Sequence, residues 1–341
     1  MISVGMDVSK DKINVCVSLN AKAGEEKKHT EFTIKNDSKN FPKFLQKTKG
    51  LKINNEALQV VMEPTGIYSL PLATWLYKKH IKVFMVNPYK AKHYALSEGN
   101  GSKNDIIDAR MLASYGETHS LVAWAPKSEI ITKLDYLLSR IGQLVDMRTQ
   151  EKNHLEKADF SLEFTKRMKE DVKRIITIFD NEIKLLEAEI EKCLKSCSTL
   201  FKERERLMTM PGLGKTTSLA LVLHFNEREY KSADHLVSFT GLAPKERQSG
   251  KYKGETHISK KGPSRIRGYL YMAAQTAAGH NPLFSQKYKE NCAVGKSKKS
   301  QLCAIMRKIL IISYSMWCNE TVFDCDYEKK RRAEMQLKKI A

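Results

Sequence analysis

No apolar stretch of these 341 residues reaches the ~20 residues that a membrane-spanning helix needs, so no spanning helix is expected within them. The N-terminus lacks the charged, apolar, small-residue layout of an export signal and runs directly into a strand pattern, so a cytoplasmic protein is expected. Cysteine is sparse and unpaired in spacing. The residues at 16, 193, 197, 292, 303, 318 and 325 form no Cys-x-x-Cys pair and have no histidines at zinc-site distance, so neither a disulfide framework nor a zinc site is expected. Negative charge is also in deficit: 39 Asp and Glu face 59 Lys and Arg, a net charge of +20. Such an excess favours a polyanionic partner and makes binding steeply salt-dependent through counterion release. Anionic membrane is the rival partner, and with no spanning stretch in the sequence nucleic acid is the expected polyanion.

What is present falls into regions of different character. Residues 1–125 read as α/β. Ile2–Ser9 and Lys12–Leu19 are β-rich runs joined by a Lys10-Asp11 turn, Lys28–Ile34 is a third strand, and Phe41–Lys47 a helix. Ala57–Glu63 and Ile81–Val86 read as buried strands around a helix over Tyr68–Lys79, followed by helices over Tyr89–Leu96 and Asp105–Tyr115. Three strands and then alternating helix and strand is the order expected of a ribonuclease-H-like sheet. In 126–205, Leu134, Leu137, Ile141, Leu144, Val172, Ile176, Phe179, Ile183, Leu186 and Ile190 step by three and four, a heptad-like pattern. Two long helices turning back near 157–163 are expected there, as a coiled coil or as part of a compact bundle. Residues 206–320 return to Gly and Pro punctuation with dense cations, and 321–341 form a charged tail without apolar periodicity. The expected class is therefore α/β plus α: a ribonuclease-H-like N-terminal domain, a helical coiled-coil middle and a mainly helical C-terminal domain.

Four acids stand in contexts that point to metal. Asp7 interrupts the apolar run Ile2–Val8, where a charge costs several kcal/mol unless it is paired or binds a cation. Glu63 ends the run Leu58-Gln-Val-Val-Met-Glu63 before Pro64, and Asp105 and Asp108 share one face if their segment is helical. Carboxylates drawn from several elements suit Mg²⁺, with Mn²⁺ able to substitute, and a divalent pair can drive in-line displacement at phosphorus. For Asp105 and Asp108 alone, a solvated helix start is an equal alternative. Thr65, two residues after Glu63, serves either a phosphate or, more simply, the cap of the helix near Tyr68.

Later motifs are more ambiguous. Gly212-Leu-Gly-Lys-Thr-Thr217 resembles part of a P-loop, yet Thr209 stands where the first Gly is required. ATP binding is rejected. A helix-hairpin-helix turn, with Lys215 and exposed amides toward a nucleic-acid backbone, or a plain interhelix turn, fits better. Ser249-Gly250 lies among Arg247, Lys251 and Lys253, where a hydroxyl can attack phosphorus, although Ser-Gly in a loop is ordinarily a turn. Lys260, Lys261, Arg265 and Arg267 form a cluster suited to phosphates or to a solvated face. Tyr252, Tyr269 and Tyr271 are rival hydroxyls, but the Arg/His-x-x-Arg layout of tyrosine recombinases is missing.

Gly5-Met-Asp-Val-Ser-Lys10, Glu63-Pro-Thr-Gly66, Lys103-Asn-Asp-Ile-Ile-Asp-Ala-Arg110, Pro211-Gly-Leu-Gly214, Gly241-Leu-Ala-Pro244, Ser249-Gly250 and Ile258-Ser-Lys-Lys-Gly262 occur in that order. This ordered set resembles the DEDD transposases of the insertion sequence 110 family, to which the Piv invertases are related. Many members carry Asn where this chain has Pro263. The resemblance implies a RuvC-like N-terminal domain, a coiled coil and a C-terminal transposase domain, with Mg²⁺ binding by Asp7, Glu63, Asp105 and Asp108 and a covalent serine–DNA link at Ser249. It also implies donor and target DNA, a noncoding bridge RNA, and dimers joining into a tetramer whose active sites are shared between subunits. Thr65, Lys103, Arg110, Lys215, Arg247, Lys251, Lys260, Lys261, Arg265 and Arg267 are the expected nucleic-acid contacts. The rival expectation is a metal-only, structure-selective nuclease with water as nucleophile.

Overall fold

The computed structural model describes residues 2–19, 28–51, 53, 58–98, 104–160, 165–245, 248–249, 252–253 and 257–327. The chain divides between Pro126 and Lys127 into two compact units.

The first unit is built on a mixed five-stranded sheet of order β3-β2-β1-β4-β5. Strands β1 (Ile2–Val8), β2 (Lys12–Leu19) and β3 (Lys28–Lys35) form an antiparallel meander. Strands β4 (Leu58–Met62) and β5 (Lys82–Met85) add in parallel on the other side of β1. This order and these directions are consistent with a ribonuclease-H-like start. Side chains alternate between faces. Val4, Met6, Val8, Val60 and Met62 point into one core with Phe41 and Phe44 of α1 (Phe41–Gly50) and Leu72 and Leu76 of α2 (Leu70–Lys78).

The opposite face holds Ser3, Gly5 and Asp7 of β1, and against it lies α4 (Asp105–Thr118), which follows α3 (Pro88–Ser97). The approach is close because the contact residues are small. A Cβ on Gly5 would fall 1.8 Å from the Ala109 carbonyl oxygen, and one on Gly116 would fall 2.5 Å from Ser3 Oγ. Ser3 Oγ donates to the Ala113 carbonyl at 2.7 Å, and Gln59 of β4 donates to that of Gly116 at 3.0 Å. Ser3 meets Ala113, while Gly5 meets Ala109 and Ala113, so α4 runs against the direction of β1 and its first turn arrives beside Asp7.

The expected helix over Tyr68–Lys79 is shorter, running as α2 from Leu70 to Lys78 with Pro71 in its first turn. Tyr68 belongs instead to a 3-10 turn, Gly66–Tyr68, which opens at Gly66 with φ of 62°, a left-handed value that favours glycine.

In the second unit, α5 (Glu129–Asp159) and α6 (Lys166–Lys195) form an antiparallel hairpin. The ion pairs Lys133–Glu189 and Arg148–Asp180, each 2.6 Å, fix that direction. At its base, Leu134, Leu138, Ile141, Ile190 and Leu194 enter one continuous core with the helices that follow, so the hairpin and the later helices form a single packed body. Those helices are α7 (Ser198–Met208), α8 (Lys215–Phe225), α9 (Ala233–Thr240), α10 (Ser264–His280), α11 (Pro282–Ala293) and α12 (Lys298–Cys318). From Thr217 to Phe225, α8 is buried all round, making it the central helix of this body. Pro211–Gly214 is an interhelix turn pinned by buried Asn281, whose amide donates to the Pro211 carbonyl at 2.9 Å. A helix, not a strand, precedes it, which removes the strand–loop–helix frame that a P-loop requires.

Gly5→Ala should cost at least ~1–3 kcal/mol in the first unit, because the added methyl meets rigid helix backbone. Urea melts that coincide with those of the unsubstituted protein would disprove the close β1–α4 contact.

Candidate metal centre and serine hairpin

The four acids come from three neighbouring elements. Asp7 is the penultimate residue of β1, and Glu63 follows directly on β4, whose Met62 is paired in parallel with Met6. Both acids therefore leave the same end of adjacent strands, and the alternation that puts Gln59 and Val61 against Gly116 directs Glu63 to the α4 side. Asp105 and Asp108 occupy the first turn of α4. Asn104 caps that helix by accepting the Ile106 amide at 3.1 Å, and the positive end of the helix dipole favours both carboxylates.

Asp7 is half-buried and its pKa is raised above the ordinary carboxylate value. Burial is the largest cause, followed by the charges of Asp105 and Asp108, while Asn14 and Lys12 act in the opposite direction. The strand carboxylate and the helix carboxylates thus share one electrostatic neighbourhood. Lys12 Nζ lies 2.7 Å from Asp105 Oδ2, a cation already seated on the acidic face. No three of the four acids bring ligand atoms within 4.8 Å of one another. Among the described residues only the exposed Asp324, Cys325 and Asp326 do so, and exposed acids cluster commonly without an ion. Four hard oxygen donors, one of them in a desolvated position that resists ionisation, fit a divalent cation by chemistry. Closing them around an ion requires Asp105 to turn away from Lys12.

Ser249 lies in the second unit, in β7 (Gln248–Ser249), which pairs with β8 (Tyr252–Lys253). The surrounding frame joins two of the sequence motifs. Strand β6 (Pro244–Lys245) pairs antiparallel with β9 (His257–Ile258). The Ser259 and Lys260 amides donate to the carbonyls of Ala243 (2.9 Å) and Gly241 (3.0 Å). Gly241, at φ 77°, ends α9 in a Schellman arrangement, with Leu242 N–H bonded to Val237 O. A Cβ on Gly262 would fall 2.0 Å from the Phe239 carbonyl oxygen. Arg267 locks this clasp, one Nη1 donating to the carbonyls of Gly262 (2.6 Å) and Thr240 (3.2 Å).

Below the clasp, buried His224 stacks on Phe239 and has its Nε2 3.4 Å from both the Tyr230 and Thr240 hydroxyls. Its Nδ1 faces Glu227 at 3.4 Å. The Glu227 carboxyl is held down to about 2; burial opposes this, and His224 and Lys127 outweigh it.

The other sequence-selected residues find varied surroundings. Arg110 pairs with Glu31 (2.7 Å) and ties α4 to β3, Lys215 pairs with Glu191 (3.4 Å), and Arg265 pairs with Asp135 of α5. Lys260, at a left-handed φ of 55°, and Lys261 are exposed. Thr65 stands at the N-cap position of the 3-10 turn, but its side chain makes no capping hydrogen bond. Its hydroxyl is buried without a hydrogen-bond partner, and the Thr65 amide instead donates to Ser69 Oγ. Lys103, Arg247 and Lys251 fall outside the described residues, as does the tail beyond Tyr327. The sequence reading missed Lys12 and Asn14. A signal existed for Asn14, because a two-residue Lys10-Asp11 turn sets a register that places Asn14 opposite Asp7.

Residues 4–158 match the DEDD transposase profile of IS110, and residues 204–289 match the profile described as "Transposase IS116/IS110/IS902 family". The chain is 30% identical to the pilin gene-inverting protein of Moraxella bovis over 94% of its own length and 97% of that relative's. The pilin gene-inverting protein of Moraxella lacunata matches at 30% over the same shares. The transposase for insertion sequence element IS1328 of Yersinia enterocolitica is 24% identical over 71% of this chain and 78% of the relative.

Two expectations follow from this geometry. With its pKa raised, folded Asp7 retains a proton that the unfolded chain has released. Stability of the metal-free protein therefore falls as pH rises from the ordinary carboxylate value to the raised folded value, and this contribution is constant above it. Asp7→Asn should melt a few degrees higher than the unsubstituted protein at neutral pH without metal, and should lose the stabilisation that Mn²⁺ gives. Thermal melts with and without MnCl₂ check both, and an undiminished Mn²⁺ shift in Asp7→Asn would contradict the assignment. Arg267→Ala removes two charge-assisted bonds, each worth ~1.5–3 kcal/mol. It should lower the melting temperature clearly, whereas Lys260→Ala should not, and equal melting of the two variants would contradict the clasp.

Proposed function

The chain belongs to the IS110 family of transposases and is a DNA recombinase or transposase enzyme, and on that premise we propose how it cuts and rejoins DNA. Asp7, Glu63, Asp105 and Asp108 hold Mg²⁺, with Mn²⁺ as a substitute. Bound there, the metal supplies Lewis-acid stabilisation of charge at the scissile phosphate. The Ser249 hydroxyl attacks that phosphate. An Oγ–P bond forms as a P–O bond to one strand breaks, and the serine proton passes to a neighbouring base or water. The hydroxyl of the incoming strand then displaces Ser249, restoring a phosphodiester. One ester replaces another at each step, so no ATP is consumed, in keeping with the interhelix turn at Pro211–Gly214.

The observation that carries this reading is the electrostatic coupling of Asp7, set in a core strand, to Asp105 and Asp108 on the abutting helix. The clasp around Ser249 supports the second part, since it gives the serine segment a fixed base. Phosphate contacts are assigned to Lys260, Lys261, Lys215, Lys103, Arg247, Lys251, Thr65, Arg110, Arg265 and Arg267. Of these, Lys215, Arg110, Arg265 and Arg267 must leave the partners named above, and the Thr65 hydroxyl must turn out of its buried position. Donor and target sequences are chosen by base pairing with a noncoding bridge RNA, leaving shape, charge and chemistry to the protein. The working assembly is a dimer, paired into a tetramer, in which the acids of one subunit act with Ser249 of another. Met168, Ile175, Ile178 and Leu185 support such a seam: they form an exposed apolar stripe at heptad spacing on α6, away from α5. No described helix is long and apolar enough to cross a membrane, and we place the protein in the cytoplasm with its DNA.

Ser249→Ala should lower recombination by ~10³-fold or more and abolish the denaturation-resistant protein–DNA adduct, while RNA binding persists. Adduct trapping on cut DNA measures this. Full recombination by Ser249→Ala protein would overturn the serine mechanism, and metal-dependent cutting that leaves no adduct in either protein would favour the metal-only nuclease, with water as nucleophile.

A further inference from the structure

We infer that the turn Gly66–Leu70 is a base-contacting wedge, on which an unpaired nucleobase of the DNA strand at the acidic centre stacks. The inference rests on the DNA-cutting reading of that centre and adds the residues that grip the strand beside it.

The wedge begins three residues after Glu63. Pro64 ends the strand segment, left-handed Gly66 reverses the chain, and the 3-10 turn Gly66–Tyr68 follows. The turn is braced from below. Buried Ser69 accepts the Thr65 amide at 3.2 Å and donates to the Gly66 carbonyl at 3.3 Å. It is also tied to the end of β1. The Asn36 side-chain amide donates both to the Ser9 carbonyl (2.7 Å) and to the Tyr68 carbonyl (3.1 Å). Ser9 is two residues beyond Asp7, so this one amide holds the turn at the rim of the acidic centre.

What the brace presents outward is apolar. Ile67 is 75% exposed, Leu70 47% and Tyr68 39%. Scattered exposed hydrophobics need no explanation, but three within four residues on a fixed turn at a reactive rim do. The same edge carries cations: Lys35, and Lys10 of the adjoining hairpin turn, are exposed, beside Lys12, which is paired with Asp105. Aromatic and apolar surface interleaved with lysines matches a single strand, whose bases offer faces to stack and whose phosphates take the ammonium groups. A protein partner would have no use for the adjacent acidic centre.

The test uses the full-length protein without divalent metal, so that no strand is cut, and single-stranded DNA oligonucleotides carrying one 2-aminopurine at successive positions. Fluorescence reports stacking of that base, and anisotropy reports affinity. The unsubstituted protein should perturb 2-aminopurine at a defined position. Tyr68→Ala should weaken binding roughly tenfold and abolish that signal, Ile67→Ser should do so in part, and Tyr68→Phe should retain both. Melting temperatures of the variants check folding, and Ile67→Ser keeps the test decisive if Tyr68→Ala unfolds the turn. Affinity and signal unchanged in Tyr68→Ala and Ile67→Ser would overturn the wedge. A change in the mass of the DNA-free assembly in those variants would overturn it too, by marking a protein contact. Tyr68-dependent stacking in a protein that never cuts DNA with Mn²⁺ would sink the catalytic reading alone. Cutting with no effect of Tyr68→Ala on stacking would sink the wedge alone.

Discussion

Everything in the first unit depends on the close seating of α4 on β1 at Gly5. A strand and a helix ordinarily keep the distance their side chains impose; here Gly5, Ala109, Ala113 and Gly116 leave almost none. The consequence is directional. Ser3, Gly5 and Asp7 face the helix in turn along β1, and the helix runs the opposite way, so its N-terminal turn must end at Asp7. Arg110 extends the same restraint to β3 through Glu31. A Cβ in this contact would displace the very turn that carries Asp105 and Asp108.

That seating concentrates negative charge in a protein that is strongly positive overall. Without a cation, the arrangement is unfavourable to itself: Asp7 is pushed toward its neutral form, and Lys12 is drawn onto Asp105. Such tension is typical of a site shaped for a ligand. The serine segment is organised on a contrasting principle. Its frame is held by main-chain hydrogen bonds, two tight glycines and one arginine, with buried His224 facing Glu227 beneath. Rigid support under a short hairpin is what a nucleophile needs if its geometry is to survive the exchange of strands.

The local parts of this design were legible in the sequence. Apolar runs marked β1 and β4, a charge inside one of them marked Asp7, and the three-residue step placed Asp105 and Asp108 on one helical face. Heptad steps foretold the α5–α6 hairpin. What escaped were contacts between distant segments. Nothing in Gly241–Pro244 or Ile258–Gly262 alone says that each is half of one clasp, and the cation cluster concealed that Arg267 serves carbonyl groups. Thr65 looked like a cap because hydroxyls before helices usually are, but left-handed Gly66 and Pro71 delayed the helix to Leu70 and left the hydroxyl buried without a partner. Local propensity yields to tertiary packing at such places.

The central claim is that carboxylates from β1, β4 and α4 converge to hold a divalent ion. Anomalous scattering from a crystal of the protein grown with Mn²⁺ and bound DNA tests it most directly. The account predicts manganese density bounded by Asp7, Glu63, Asp105 and Asp108, with the Lys12 ammonium withdrawn from Asp105. Full manganese occupancy elsewhere, for example at Asp324 and Asp326, with none among those four residues, would contradict it.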